Sequence, residues 1–284
     1  MIEVVRAGPL TTIQDLGRPG WAHLGVPRSG SLDPRALRLA NRLVGNADDA
    51  AGLETTLLGC ALRLRLDTMV AVTGAVAPLR VAGRALDPAG AVRVGAGDVI
   101  EVGPARLGVR SYLAFAGGIA TEPVLGSRST DTLSGLGPAP LRDGDRLPLG
   151  LTRVAPSTVE DLAPAPPGAA LHLRVRLGPR DDLFTLEAIN RLLTEAYAVT
   201  PVSNRVGARL AGPALTRADD AELPPEGIVL GAVQVPPNGQ PVVFLADHPT
   251  TGGYPVIAVV DAAGVAVLGQ ARPGATVTFH GSQR

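Results

Sequence analysis

Glycine and proline interrupt this chain along its whole length. Its 284 residues include 35 glycines and 26 prolines, with no tract of either. Because both residues favour turns, the apolar runs between them are short, as at 69–73, 92–94 and 99–102. Aromatic residues make up only 3% of the chain, which leaves Val, Leu, Ile and Ala to build the core. The pattern predicts a mainly β protein made of barrels or sandwiches rather than a parallel α/β sheet.

The length of the chain suits two domains of average size. The run 156–169 holds four prolines and few periodic apolar positions, which predicts a linker. We therefore expect an N-terminal β domain at 1–155 and a C-terminal β domain at 170–284.

Each half contains one principal predicted helix. In the first half, Asp33 can cap free backbone N–H groups and Pro34 suits the first helical position. In the second half, Asp181 and Asp182 are expected to begin a helix whose apolar side extends to Tyr197.

The charged residues exclude several classes of function. The 26 basic and 26 acidic residues are interspersed and sum to a formal charge of zero, so neither nucleic acid nor an anionic membrane is an expected partner. Every basic residue is arginine, and the absence of lysine excludes a P-loop lysine and a Schiff-base lysine. Any ATP chemistry must use arginine or groups from a partner.

Sequence templates for metal, nucleophile and export are also missing. The single cysteine, Cys60, lies in an apolar run and is predicted to be a buried small side chain rather than a nucleophile. No cysteine pair or His-x-x-x-His spacing predicts a metal, and no Gly-x-Ser-x-Gly or Gly-x-Gly-x-x-Gly motif follows a strand. With no leader-like N-terminus and no run near the ~18 apolar residues of a membrane span, we expect a cytoplasmic protein.

A polar segment near the N-terminus is the first candidate site. The stretch 8–30 is too irregular for regular structure and is predicted to be either a functional loop or a poorly ordered arm. It carries Gln14, Asp15, Arg18 and Ser29. A guanidinium group suits two-pronged binding of a carboxylate or phosphate. The alternative is that Asp15 and Arg18 pair with each other and brace the loop.

Two later polar segments offer further candidates. Arg205, in the segment 201–207, could bind an anion or cap the carbonyls of the preceding helix. Polar loops flank the predicted strand 241–246, and we expect both to reach one end of a sheet. In the second loop, residues 250–253 could expose consecutive N–H groups that hold an oxyanion, and Asp247 and His248 are the nearest acid and base candidates.

Several motifs in and around these segments are typical of one protein family. In one-letter code they include GPLTTIQDLGRPG at 8–20, SNRVG at 203–207, QVPPNGQ at 234–240 and TTGGYP at 250–255. Further matches lie at 25–27, 40–46, 53–56, 115–119 and 125–131. In this order, over nearly the whole chain, they closely resemble the family of biotin-dependent carboxyltransferases and 5-oxoprolinase C subunits, also called the KipA-like or allophanate hydrolase subunit 2 family.

The resemblance implies two cyclophilin-like β-barrel domains, each with one principal helix. It also implies the C subunit of a bacterial ATP-dependent hydrolase, 5-oxoprolinase, which opens 5-oxo-L-proline to L-glutamate. Such a chain would act in a hetero-oligomer with a KipI-like B subunit and an A subunit. ATP would be a co-substrate with Mg as a candidate companion ion, and no cofactor would be bound covalently.

The resemblance further implies roles for the matching residues. Asp15 and Asp247 would manage protons, while Arg18, Arg128 and Arg205 would hold a carboxylate or phosphate where the polar loops converge. The other predicted substrate contacts are Gln14, Ser29, Ser203, Gln234, Asn238, Thr250, Thr251, Gly252, Gly253 and Tyr254. The last motif departs from the family pattern at His248, Pro249 and Val256, where the family often has Arg, Gln and Lys, so anion contacts would fall to the remaining arginines.

Two other functions fit the same family. A biotin-dependent carboxyltransferase component, as in urea carboxylase, would take a carboxyl group from carboxybiotin on a separate carrier, because this chain has no carrier motif of its own. A non-catalytic antagonist of a KipI-like kinase inhibitor would act through its surface alone.

Overall fold

The computed structural model describes residues 1–87, 90–151, 167–218 and 223–281. The chain forms two compact units, unit 1 with Met1–Arg18 and Ser29–Pro166, and unit 2 with Pro19–Arg28 and Pro167–Arg284. Most of the predicted linker lies outside the described residues. The predicted mainly β class is confirmed.

Unit 1 is a pair of antiparallel sheets. Its described strands are β1 (Ile2–Arg6), β2 (Thr11–Gln14), β3 (Gly52–Thr56), β4 (Ala61–Leu64), β5 (Thr68–Val76), β6 (Leu79–Val81), β7 (Arg84–Leu86), β8 (Val92–Val94), β9 (Val99–Val102), β10 (Leu107–Phe115) and β11 (Arg146–Leu147). One sheet has the order β11-β1-β4-β9-β6-β7 and the other β2-β3-β10-β5-β8. Strand β2 falls in the stretch predicted to be irregular, because a strand of four buried residues is too short to show a period.

The core of unit 1 lies between the two sheets. Alternate residues of β1 and β4 meet alternate residues of β5 and β10, as with Ile2, Leu62, Val70 and Phe115 in one buried cluster. The core is aliphatic, as the composition requires, since Phe115 is its one aromatic member among the described residues.

Helix α1 (Pro34–Leu43) covers the outer face of the second sheet. The predicted N-cap is confirmed: the Asp33 side chain accepts a hydrogen bond from the Ala36 amide at 3.1 Å, and Pro34 follows at the first position. Small residues of the sheet, Ala71 and Ala114, pack against Ala40, which lets the helix approach closely. Strand β10 is therefore buried on both faces.

Unit 2 is a closed barrel. Its described strands are β12 (Ala170–Leu177), β13 (Ala196–Val199), β14 (Gly207–Ala211), β15 (Glu226–Gly227), β16 (Ala232–Gln234), β17 (Val242–Phe244), β18 (Thr251–Gly252), β19 (Val256–Val260) and β20 (Thr276–Gly281). Seven of them close in the order β12-β19-β16-β17-β14-β13-β20, while β15 and β18 pair separately. Strands β12 and β20 close the barrel in parallel, and the other barrel pairs are antiparallel.

The helices of unit 2 differ from the prediction. Helix α2 (Leu186–Thr194) begins after Thr185, whose side chain accepts from the Ala188 amide at 3.1 Å. Asp181 and Asp182 instead form a 3-10 turn, and Tyr197 lies on β13. Thr185, rather than Asp181 or Asp182, caps the helix because its backbone is extended, as an N-cap residue requires.

A second helix in unit 2, α3 (Ala262–Gly269), was missed by the sequence analysis. Its residues are apolar or glycine all round, so the 3.6-residue period that marks an amphipathic helix is absent. Its one local signal was Asp261, which caps it through the Gly264 amide at 2.8 Å. In the part of the chain that the structure describes, no helix is both long and apolar enough to cross a membrane.

The position of the α2 cap can be tested by two substitutions. Thr185→Ala should lower the free energy of unfolding by about 1 kcal/mol, because the Ala188 amide loses its acceptor. Asp182→Ala, its matched control on the preceding turn, should change it by less than about 0.5 kcal/mol. Denaturant unfolding and hydrogen exchange of the α2 amides measure both. If both variants lost the same free energy of unfolding, Thr185 would not be the cap of α2.

Candidate functional site

Asp15 follows β2 and holds a distant segment of unit 1. Its Oδ1 accepts hydrogen bonds from the Gly17 amide at 2.8 Å and from the hydroxyls of Ser127 and Ser129, both at 2.6 Å. Its Oδ2 accepts from the Arg128 amide at 2.6 Å. The residue is only 7% exposed. The carboxylate therefore fixes a segment 112 to 114 positions further along the chain.

Arg18 binds the same segment, which we name the 124–130 loop. It donates from Nε to the Val124 carbonyl at 3.3 Å and from Nη2 to the Ser129 carbonyl. It is 1% exposed. Asp15 and Arg18 therefore both brace the 124–130 loop, through separate hydrogen bonds to it. The alternative interpretation had them pair with each other.

Gln14 and Ser29 extend this brace. Both donate to the Thr130 carbonyl, at 3.0 and 2.9 Å. Ser29 has φ 54 and Gly30 has φ 98, a left-handed pair that is unusual for serine. A Cβ on Gly30 would lie 2.9 Å from the Gly17 amide nitrogen, so only glycine fits there. Residues 14–17 and 29–30 of the polar segment are thus held together beside Asp15.

Arg128 is the arginine of this cluster that keeps its terminal nitrogens available. Its backbone amide binds Asp15, and its Nε donates to the Thr121 carbonyl at 2.6 Å. Among the described residues, its two Nη groups have no hydrogen-bond partner, and the side chain is half-buried. It stands next to a tight turn at Leu125 (φ 51) and Gly126 (φ 81). This geometry suits a fixed guanidinium that binds an anion.

Arg205 and Asp247 form a buried ion pair in unit 2. Arg205 Nε lies 2.9 Å from Asp247 Oδ2, and Nη2 lies 3.0 Å from Oδ1. The side chains are 1% and 0% exposed. This contact does not cap the preceding helix, which was one of the two roles predicted for Arg205. The Arg205 guanidinium instead joins the start of β14 to the end of β17. The pair occupies both oxygens of Asp247 with the two-pronged geometry of strong pairing.

The two polar loops around β17 only partly meet. Asp247 lies near Arg205, at the end where β17 pairs with the start of β14. Gln234 lies at the opposite end of β17, and its Nε2 donates to the Tyr254 carbonyl at 3.0 Å. The loops at the two ends of a single strand lie at opposite ends of the sheet. Gln234 and Tyr254 therefore meet as expected, whereas the prediction that Asp247 lies at the same end as Gln234 is wrong.

The segment 250–253 is not an open nest of amides. Its central residues form β18, which pairs with β15, and the Thr250 carbonyl accepts from the Ile228 amide at 2.9 Å. Glu226 of β15 is held in turn by Arg180, which keeps the pKa of the Glu226 carboxyl below its ordinary value through their hydrogen bonds. Thr251, Gly253 and Tyr254 remain exposed. An extended, paired strand does not curl its N–H groups around one point, so the predicted cradle is not formed here.

Ser203 and Asn238 stabilise turns. Ser203 Oγ accepts from the Arg209 amide at 3.0 Å, and Asn238 Oδ1 accepts from the Gln240 amide at 3.1 Å. His248 is buried, with Nδ1 2.7 Å from the Pro249 carbonyl. These contacts position the loops and leave the predicted roles in substrate binding as predictions.

A buried polar network of unit 1 had no role in the sequence analysis. Glu54 Oε2 accepts from the Tyr112 hydroxyl at 2.8 Å and from the Leu32 amide at 3.0 Å, while Arg110 lies 3.4 Å from Oε1. Burial, followed by the Glu54 charge, raises the pKa of Tyr112 well above its ordinary value. The Tyr112 oxygen also accepts from the Asp33 amide at 2.8 Å. The available signal was a glutamate directly after the apolar residues 50–53.

Cys60 is buried, as predicted, and burial raises the pKa of its thiol to about 11. It is therefore a protonated core side chain at neutral pH. Among the described residues, no group of three or more His, Cys, Asp or Glu side chains could hold a metal ion.

Asp15→Asn tests whether this carboxylate is a brace. An amide has one acceptor oxygen and would direct N–H groups at donors, so the 124–130 loop should lose order at a cost of about 1–3 kcal/mol. Hydrogen exchange of the loop amides should quicken. Asp143→Asn is the matched control, since the bond that its carboxylate accepts from the Ala7 amide, at 2.7 Å, needs only one acceptor oxygen. Unchanged exchange in the loop after Asp15→Asn would rule out the brace.

A double-mutant cycle tests the buried pair of unit 2. Arg205→Met or Asp247→Leu alone removes the opposite charge from the buried group that remains and should cost about 3–5 kcal/mol. The double variant should be less destabilised than either single variant, because it buries no charge. Hydrogen exchange of the β14 and β17 amides reads the stability of this part of the barrel. Additive losses would show that the pairing contributes no coupling.

Comparison with known proteins places the chain in one family. Residues 24–281 match the model of the carboxyltransferase domain, subdomain A and B. The chain is 38% identical over 282 residues to the C subunit of 5-oxoprolinase from Escherichia coli (strain K12), covering 98% of this chain and 90% of that protein. It is 34% identical over 304 residues to urea amidolyase of Lachancea kluyveri, where the match is 98% of this chain but 17% of that protein.

A solved structure agrees in fold. The crystal structure of TTHA0988 superposes with a TM-score of 0.88 at 38% sequence identity, covering 98% of this chain. This chain spans 55% of the length of that protein. The family predicted from the sequence motifs is thereby confirmed: this chain belongs to the family of the carboxyltransferase domain, subdomain A and B.

Proposed function

We propose that this chain is the C subunit of an ATP-dependent 5-oxoprolinase, acting with an A subunit and a KipI-like B subunit to convert 5-oxo-L-proline to L-glutamate. The observation that carries the proposal is the sequence match over nearly the whole chain to the Escherichia coli C subunit, at 38% identity. The Escherichia coli C subunit corresponds over 90% of its own length, whereas the same region is 17% of the Lachancea kluyveri urea amidolyase. A cytoplasmic location remains the prediction from sequence.

The chemistry explains why a complex is required. A lactam carbonyl is a poor electrophile. Transfer of the terminal phosphoryl group of ATP to its oxygen, with release of ADP, would activate the ring carbon; attack by water, cleavage of the C–N bond and loss of phosphate would then give glutamate. This chain has no lysine with which to cradle ATP phosphates. We therefore assign ATP binding, with its Mg, to one of the partner proteins, and binding of a carboxylate or phosphate to arginine of this chain.

The contacts within each unit refine the residue roles. Arg128 is proposed as an anion contact, because its Nη groups have no partner among the described residues and its backbone is fixed by Asp15. Thr251 and Tyr254 are proposed as substrate contacts because their side chains are exposed. Asp15 and Asp247 are proposed as positioning residues rather than proton carriers, because both carboxylates are committed to buried partners.

Reconstitution with the A and B subunits tests the proposal. The complex should release glutamate from 5-oxoproline only with ATP. Arg128→Ala should lower kcat/KM by at least about tenfold, as expected for loss of a charge-assisted hydrogen bond. Arg142→Ala, an exposed arginine of the same unit, is the control and should leave kcat/KM unchanged.

Two results would contradict this function. The first is dependence on a biotinylated carrier with no release of glutamate. The match to urea amidolyase favours that carboxyltransferase function as the second candidate. The second is tight binding of a KipI-like partner without turnover of any substrate, which is the behaviour of a non-catalytic antagonist.

A further inference from the structure

Two histidines meet on the outer surface of the barrel where it closes. Strands β12 and β20 are the parallel closing pair, and His172 lies opposite Thr278 in their register. His280, two residues further along β20, projects to the same side, because side chains alternate along a strand. Both histidines are exposed, whereas their strand neighbours Leu173 and Phe279 are buried in the barrel.

Three donor atoms of these residues converge. His280 Nε2 lies 3.4 Å from His172 Nδ1, and the two rings have centroids 5.5 Å apart at 41°. Thr278 Oγ1 lies 2.8 Å from His172 Nδ1 and 3.4 Å from His280 Nε2. The side chains already present two imidazole nitrogens and a hydroxyl around one point.

The separation of the nitrogens matches metal coordination. Two imidazole nitrogens bound tetrahedrally to one zinc, at about 2.0–2.1 Å each, lie about 3.4 Å apart. We propose that His172 and His280 form a surface site for a divalent transition metal that favours imidazole, namely Zn²⁺, Ni²⁺ or Cu²⁺. Thr278 supports the site through its hydroxyl, and water fills the remaining coordination positions. No third His, Cys, Asp or Glu joins it among the described residues, so the metal would exchange freely.

The neighbouring charge is already compensated. Arg174 lies opposite His280 in the register, and a free guanidinium there would repel a cation. Its Nε and Nη2 instead contact Asp261 Oδ2, at 2.9 and 2.8 Å, which draws the positive group toward the start of α3. Arg176, two residues further along β12, lies beyond Arg174 on the same face.

A metal here would join the first and last strands of the barrel. His172 and His280 are 108 residues apart in sequence, yet they sit on the strands whose pairing closes the barrel. Because the unfolded chain does not hold them together, the metal would bind the folded state and stabilise it. The site would therefore act as an exchangeable staple across the parallel seam.

Calorimetric titration of the full-length, tag-free chain with Ni²⁺, Zn²⁺ and Cu²⁺ tests the site. The protein is first treated with chelator, which is then removed, and an affinity tag of histidines is avoided because it would itself bind metal. One site per chain is expected, with Cu²⁺ binding tightest. His172→Ala and His280→Ala should each weaken binding by more than the roughly 10–100-fold that loss of an outer-shell partner costs, and the double variant should abolish it.

His23→Ala is the matched control. His23 is also exposed, but its Nδ1 faces the Gly20 carbonyl at 3.1 Å, so its loss should leave affinity unchanged. In thermal unfolding, metal should raise the midpoint of the wild type and not of the double variant. Absence of binding would mean that the two rings only hydrogen-bond to each other, and an unchanged titration of the double variant would place the metal elsewhere. Either result overturns the proposal.

Discussion

The Asp15 carboxylate accepts four hydrogen bonds, and three of their donors come from residues 127–129. A buried carboxylate is costly unless donors surround it. When donors surround the carboxylate, the residues that supply those donors are fixed in place. Arg18, Gln14 and Ser29 then donate hydrogen bonds to carbonyls of the same loop. The most irregular part of unit 1 is held in one conformation by this exchange of polar contacts.

The same constraint recurs where secondary structure ends. In unit 2, Arg205 and Asp247 join the ends of β14 and β17. In unit 1, Glu54 and Tyr112 receive the backbone amides that precede α1. These are positions where strands and helices leave backbone or charged groups without regular partners. Packing in the aliphatic, aromatic-poor core stabilises the fold but is not directional. The polar contacts, which have a fixed geometry, determine the path of each loop.

Motif residues of the family therefore divide into two groups. Asp15, Arg18, Arg205 and Asp247 are almost fully buried and bind other parts of the protein. Arg128, Thr251 and Tyr254 carry side-chain groups that remain open to a ligand. In unit 1, Asp15 and Arg18 fix the 124–130 loop, so the backbone that carries Arg128 has a rigid support. Strong sequence motifs thus mark residues that hold the loops in place as well as residues that stay accessible.

The sequence by itself determined the β class, the family, the cap at Asp33 and the burial of Cys60. Each of these depends on local propensity, composition or a contiguous motif, all of which are visible along the chain. Only the tertiary structure decided that Asp247 pairs with Arg205, that 250–253 enters a strand, and that His172 meets His280. Those outcomes join residues 42 or more positions apart or depend on a strand partner at β15. The residues around a polar side chain do not show which distant polar group will lie next to it, because the packing of the sheets decides which parts of the chain meet.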